Sequence, residues 1–198
     1  MSFRCRGYGY LCTRQTKRNE TMNVIETFEK WDLDLLIDYV LKFHHRNTRR
    51  YGEKILHRLT ALAQQHTELN EVVELFRNSI QDLDMHCMKE ENVLYPYIQE
   101  LFNASETQQP VEAFHCGSIQ FPINAMMADH NDETGRHNLI GRLTNNYTAP
   151  EGTQDGEYQK VLYDLRDFRA YLHEHVAVEN EIIFPRALAL EAANVASC

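Results

Sequence analysis

Residues His86–Pro96 read HCMKEENVLYP, and residues His175–Pro185 read HVAVENEIIFP. Both place a Glu four residues after the His, an aliphatic residue at the eighth position, an aromatic at the ninth and a Pro at the tenth. Residues four apart on an α-helix share a face. His86 with Glu90, and His175 with Glu179, can therefore each aim an imidazole and a carboxylate in one direction. A single pair of this kind arises readily by chance, as a solvated or ion-paired couple. Two copies in one frame on alternate helices point instead to the two halves of one metal centre. The Pro cannot donate its backbone N–H and is expected to bend or end each helix at matching heights.

Working outward, apolar residues recur at three- and four-residue spacing over four long segments. The first runs from near Leu33 to about His66, with Asp32 or Asp34 available as cap and Gly52 as its one interior weak point. The second opens at Asn70, a good capping residue, and continues to about Phe102. The third starts between Ser118 and Pro122, where Pro is tolerated in a first turn, and reaches about Asn145. The fourth runs from about Glu157 to the region of Pro185, with RALALEAAN as its helical continuation. Alternating β-branched runs and Asn-Gly turns are absent. The fold expected is all-α, an antiparallel up-down four-helix bundle over residues 31–198, preceded by a basic arm over residues 1–30.

Counting residues from the turns sets the heights in such a bundle. His45 lies about 21 residues before the first turn, and His86 and Glu90 about 17–21 after it, at 1.5 Å rise per residue. On the second hairpin, His130 precedes the loop near Tyr147, and His175 and Glu179 follow it, at similar distances. The candidate metal ligands are therefore His45, His86, Glu90, His130, His175 and Glu179. His44 competes with His45; facing direction alone does not separate them, and His45 is preferred. His66 lies about 31 Å along the same helix from His45 and is excluded. His137 is expected beside the site or on the surface, and His173, His57 and His115 have no role in it. Four imidazoles and two carboxylates suit two ions, with Glu90 and Glu179 bridging and two histidines on each. That donor set favours iron or manganese without excluding zinc. Ferritin-like sites are richer in carboxylate.

Net charge is −9 over 198 residues, yet Arg4, Arg6, Arg14, Lys17 and Arg18 crowd the first 21 against Glu20 alone. The acidic remainder argues against nucleic-acid binding. Residues 1–21 read as a solvated upstream extension. No apolar stretch has membrane-spanning length and no secretory leader is recognisable, so a cytoplasmic protein is expected. Cys5, Cys12, Cys87, Cys116 and Cys198 show neither disulfide-scaffold nor zinc-ribbon spacing. Cys87 is turned about 100° from the ligand face and is expected to pack as a small apolar residue rather than bind metal.

The pieces LLIDYVLKFHHRNTR, HCMKEENVLYP, FPINAMMADHNDETG and HVAVENEIIFPRAL, in order across residues 31–190, resemble the hemerythrin-like family. The closer likeness is to its branch of iron–sulfur cluster repair di-iron proteins. The resemblance implies two non-haem irons, oxo- or hydroxo-bridged, and a role in recovery from nitrosative or oxidative damage. It implies repair of iron–sulfur centres or reduction of nitric oxide, with damaged iron–sulfur proteins and an electron donor as partners. A non-enzymatic oxygen or nitric oxide binder, sensor or store, is the alternative. Two departures stand out. Oxygen-carrying hemerythrins have a second His four residues after the third-helix ligand, where this chain has Thr134. Repair proteins commonly carry an N-terminal domain with an adjacent Cys pair, whereas Cys5 and Cys12 stand apart in a short arm.

Overall fold

The computed structural model describes residues 25–115, 117–153 and 155–196. Most of the basic arm, and every cysteine except Cys87, lie outside the described residues. Among the described residues, a helical turn at 25–28 is followed by α1 (Leu33–Tyr39), α2 (Arg46–Ala63), α3 (Asn70–Lys89), α4 (Tyr95–Thr107), α5 (Gln120–Leu143), α6 (Gly156–Val178) and α7 (Phe184–Ala196). They make four rods. Three rods are pairs of α-helices joined through a π-helical turn, at Val40–His45, Glu90–Leu94 and Glu179–Ile183. The third rod is α5 alone. The expected all-helical bundle is therefore present, with rod limits within a few residues of those read from periodicity.

The rods form because their apolar residues make one continuous stripe. On the first, Leu33, Leu36, Ile37 and Val40 are all buried, the spacing that faces a helix to a core. Burying each such side chain contributes about 1.5–3 kcal/mol. Asp32 occupies the first cap position without a side-chain hydrogen bond. Asn70 is not a cap but the first residue of α3, and Leu69 precedes it in a short 3-10 turn. On the fourth rod Asp155 does cap, accepting from the Glu157 N–H at 2.8 Å.

Neither repeated proline ends its rod. Pro96 and Pro185 stand in the first turns of α4 and α7, each immediately after a π turn. A proline within a regular α-helix clashes with the carbonyl four residues back. Here those carbonyls belong to Asn92 and Glu181, inside the widened turns, and the helix continues. Gly52, the expected weak point, does not interrupt the first rod either. A Cβ there would lie 2.4 Å from Ile80 Cδ1, so the glycine lets the first two rods approach closely.

The interior divides into three layers. One dry cluster gathers Leu36, Val40, Leu94, Ile98, Ile123 and Ile182. The other gathers Leu59, Phe76, Leu83, Ile140, Leu165 and Leu172. Every candidate ligand falls between the two along its rod. Among the described residues no helix is long and apolar enough to cross a membrane.

Of the two places expected for His137, the surface is excluded: it is 1% exposed, stacked on Phe168 at 5.7 Å between ring centres. Ser79 Oγ donates to Glu133 Oε2 at 2.7 Å and lies 3.0 Å from His137 Nε2. With the serine proton committed to the carboxylate, the His137 Nε2–H must donate to Ser79, which leaves Nδ1 bare and unpartnered. Burial first, and then the charges of Arg169, His173 and Arg136, push this imidazole down to about 3. In the unfolded chain it titrates near 6.5. Because the folded value is depressed, its contribution is fully present above about pH 6.5 and is lost as pH falls toward 3. Replacing His137 with Phe should therefore flatten the fall in Tm of the metal-free protein between about pH 6 and 4. Parallel Tm-against-pH curves for the two proteins would contradict this assignment.

Candidate metal centre

The six side chains singled out by spacing converge in the polar layer. His45, Glu90, His175 and Glu179 form one group of four ligand atoms, all within 4.8 Å of one another. His86, Glu90, His130 and Glu179 form a second. All six residues are at most 2% exposed. Both carboxylates belong to both groups. Glu90 Oε2 lies 3.3 Å from His45 Nε2 and 3.3 Å from His86 Nε2. Glu179 turns Oε1 to His175 Nε2 at 2.7 Å and Oε2 to His130 Nε2 at 3.0 Å. Each is therefore placed between the groups, as a bridge would be.

The outer nitrogens explain why the inner ones point inward. His45 Nδ1 lies 2.8 Å from Glu91 Oε1, which Arg49 also holds at 2.7 Å. His86 Nδ1 faces Asp129 at 3.3 Å, itself bonded by Lys89 at 2.8 Å. His130 Nδ1 meets Asn180 Oδ1 at 2.9 Å. An acceptor on Nδ1 fixes the tautomer and leaves Nε2 free for a metal.

The repeated frame now acquires a meaning beyond its His and Glu. At the fifth position, Glu91 holds His45 of the preceding rod, and Asn180 holds His130 of its preceding rod. At the ninth, Tyr95 stacks on that same His45 at 6.0 Å and 15°, and Phe184 stacks on His130 at 6.1 Å and 7°. Each copy thus supplies two ligands and clamps a third on the rod before it. The ninth position also breaks the symmetry: the Tyr95 hydroxyl donates to Glu179 Oε1, and Phe184 has no hydroxyl.

The electrostatics suit a cation. Glu90 Oε1 and Oε2, Glu179 Oε2 and His45 Nε2 are buried without a hydrogen-bond partner. The 3.3 Å approach of His45 to Glu90 satisfies ion-pair distance but not hydrogen-bond geometry, so these atoms are close and unsatisfied together. Burial works to lower the His45 and His86 values, but it is outweighed. Cys87 and Glu90 bring His45 up to about 11, and Glu90 chiefly brings His86 up to about 9. Burial likewise works to raise Glu90 and Glu179, yet the surrounding imidazoles hold both below the usual carboxylate range. His175 moves the other way although it is the imidazole nearest Glu179. Its burial exceeds the carboxylate's pull, and it falls to about 4. Without metal, protons on His45 and His86 take the place of positive ions, and metal binding must displace them.

His44 is buried but belongs to neither group. It stacks on His175 at 5.1 Å and faces Glu174, 3.5 Å from Nε2. His66 is at the far end, T-shaped against Tyr158 at 4.7 Å. His57, His115 and His173 are exposed. Cys87 is buried beside His45, and burial foremost raises its thiol. It packs against an imidazole rather than in purely apolar surroundings, and it is in neither group. Cys87→Ala should leave the metal content at two per chain; loss of metal would make the thiol a ligand.

Spacing alone missed Glu91, Asp129, Asn180 and Tyr95. All but Tyr95 adjoin a candidate ligand in sequence, which is the signal that could have found them. A cavity of about 160 Å³ opens between α3 and α5, lined by His86 and His130 and edged by Lys89, Asp129 and Arg136.

A hemerythrin HHE cation-binding domain profile matches residues 36–187. The chain belongs to the hemerythrin HHE cation-binding domain family. Among its relatives is the iron–sulfur cluster repair protein DnrN of Neisseria gonorrhoeae. The two are 27% identical over 154 residues, 77% of this chain and 89% of the relative. The iron–sulfur cluster repair protein YtfE of Citrobacter koseri is 28% identical over 162 residues, 79% of this chain but 66% of the relative. YtfE of Salmonella choleraesuis is 25% identical over 210 residues, 96% of this chain and 88% of the relative. The likeness to the repair branch of the hemerythrins, expected from the motifs, is therefore supported by relatives that carry that name.

Proposed function

We propose that this chain is a non-haem di-iron protein of the cytoplasm that serves recovery from nitrosative or oxidative damage by repairing iron–sulfur clusters. The observation that carries the reading is the pair of four-residue groups sharing Glu90 and Glu179, with buried oxygens that no protein donor satisfies. His45 and His175 would hold one iron and His86 and His130 the other, with both carboxylates between them. A set of nitrogen and oxygen donors with no thiolate suits iron or manganese better than structural zinc. The names of the relatives support damaged iron–sulfur proteins as the partners.

Bound iron supplies a one-electron redox change at each ion and positions where a diatomic molecule such as nitric oxide or oxygen can attach. The chain's own residues do the rest. The two dry clusters keep bulk water from the layer and strengthen its electrostatics. Glu91, Asp129 and Asn180 keep three imidazoles pointed inward. Thr134 stands where oxygen carriers have a further imidazole, which leaves room on the metal for reaction rather than simple carriage. The cavity beside His86 and His130 is large enough for a diatomic ligand. Reduction of nitric oxide, with an electron donor, is part of the same proposal.

The test is anaerobic. Reduced, iron-loaded protein should either convert nitric oxide to nitrous oxide or restore activity to a nitric-oxide-damaged iron–sulfur enzyme. Reversible spectral changes with neither outcome would replace this reading by that of a binder or sensor.

A further inference from the structure

The two repeats differ at the fifth position, Glu91 against Asn180, and at the ninth, Tyr95 against Phe184, and the ninth separates the two shared carboxylates. Glu179 is hydrogen-bonded at one oxygen: Tyr95 Oη donates to Oε1 and His175 Nε2 lies 2.7 Å from it, while Oε2 has only the ion-pair approach of His130 Nε2 at 3.0 Å. Glu90 has no hydrogen bond at either oxygen. The position that would supply one by the symmetry of the frame is Phe184, which stacks on His130 as Tyr95 stacks on His45. Tyr95 is itself 1% exposed and pinned against the His45 ring, so its hydroxyl cannot swing to another partner. A carboxylate restrained by a buried donor keeps its orientation, because losing that bond would leave both partners unsatisfied. Glu90 lacks that restraint, and only ion-pair approaches of 3.3 Å from His45 and His86 face its Oε2.

We infer that the two bridges have different tasks, with Glu179 the fixed carboxylate, Tyr95 its positioning residue, and Glu90 the movable carboxylate whose rotation opens the site to a small ligand. This rests on the di-metal reading above. The exchange is a ligand substitution. With iron bound, Glu90 would swing one oxygen aside to admit the incoming molecule and swing it back when that molecule departs, with no electron or proton transferred. Asymmetry of this kind gives the site a preferred side for entry, which a centre with two equally free bridges lacks.

The decisive variant is Phe184→Tyr, which offers Glu90 the donor it lacks. Azide is the probe, and its entry into the di-ferric protein is followed by stopped-flow absorbance alongside iron content. Phe184→Tyr should keep two irons and slow azide entry about tenfold, the effect of restraining one group by a single hydrogen bond. The double variant Tyr95→Phe with Phe184→Tyr transposes the fixed and movable bridges and should recover much of the rate. Azide entry as fast in Phe184→Tyr as in the parent, with two irons in both, would overturn the assignment. Should Phe184→Tyr fail to fold, Tyr95→Phe carries the test through chelator extraction of iron. Freeing Glu179 should speed extraction several-fold, and an unchanged rate overturns the inference. Iron content in the parent reports on the di-iron reading itself, so failure of that reading is distinguishable from failure of this one.

Discussion

Replacing His45 with Ala is expected to lower iron from two per chain toward one or fewer, while replacing His66 with Ala leaves two and an unchanged visible spectrum. Both histidines lie in the first hairpin, and both are candidates on residue type alone. Only His45 is fully buried with Nε2 beside Glu90. It is one of two imidazoles in its group, so its loss leaves an ion with His175 and the shared carboxylates alone. His66 instead packs on Tyr158 near the turn, with Glu68 at 3.4 Å and Asp155 at 3.7 Å. Contacts of that exposed kind are worth about 0–1 kcal/mol. Iron analysis and the absorption spectrum of the two variants decide the matter. Iron lost from the His66 variant and retained in the His45 variant would mean that the centre has been placed at the wrong end of the bundle.

A larger effect is expected from Glu179→Ala: loss of both ions rather than one. Glu179 belongs to both four-residue groups, so its removal leaves each with three ligands and no second bridge. It also strands the Tyr95 hydroxyl in a fully buried position, a cost of about 1–3 kcal/mol. Metal-free Glu179→Ala should therefore be less stable than the metal-free parent and should bind no iron at parent concentrations. Retention of one tightly bound iron would show that Glu179 serves a single ion and does not bridge.

Much of this site was legible because helical geometry is regular. The His and Glu of each frame were four apart, and a constant rise per residue put His45, His86, His130 and His175 at one height. That reasoning separated His45 from His66 by distance. It could not separate His45 from His44, which are neighbours on the chain. They are divided by the π turn Val40–His45, which sends one imidazole toward Glu90 and the other toward Glu174. A π turn adds a residue to a helical turn without demanding a particular residue type, so periodicity gives no warning of it. The same turns explain why the prolines failed to end the rods. Tyr95 was hidden for another reason: an aromatic at the ninth position reads as core, and its ring does pack there, while the hydroxyl alone carries the chemistry. The partners of His137, Ser79 and Glu133, were hidden because they are single polar residues on two helices, and only packing brings them together.

Whether two metal ions share Glu90 and Glu179 is decided by metal analysis and Mössbauer spectroscopy of protein purified from iron-replete cells. Two irons per chain with the spectrum of a single magnetically coupled pair are expected, and loss of that pair in Glu179→Ala. One isolated iron, a single zinc, or a folded bundle carrying no metal at all would contradict that sharing.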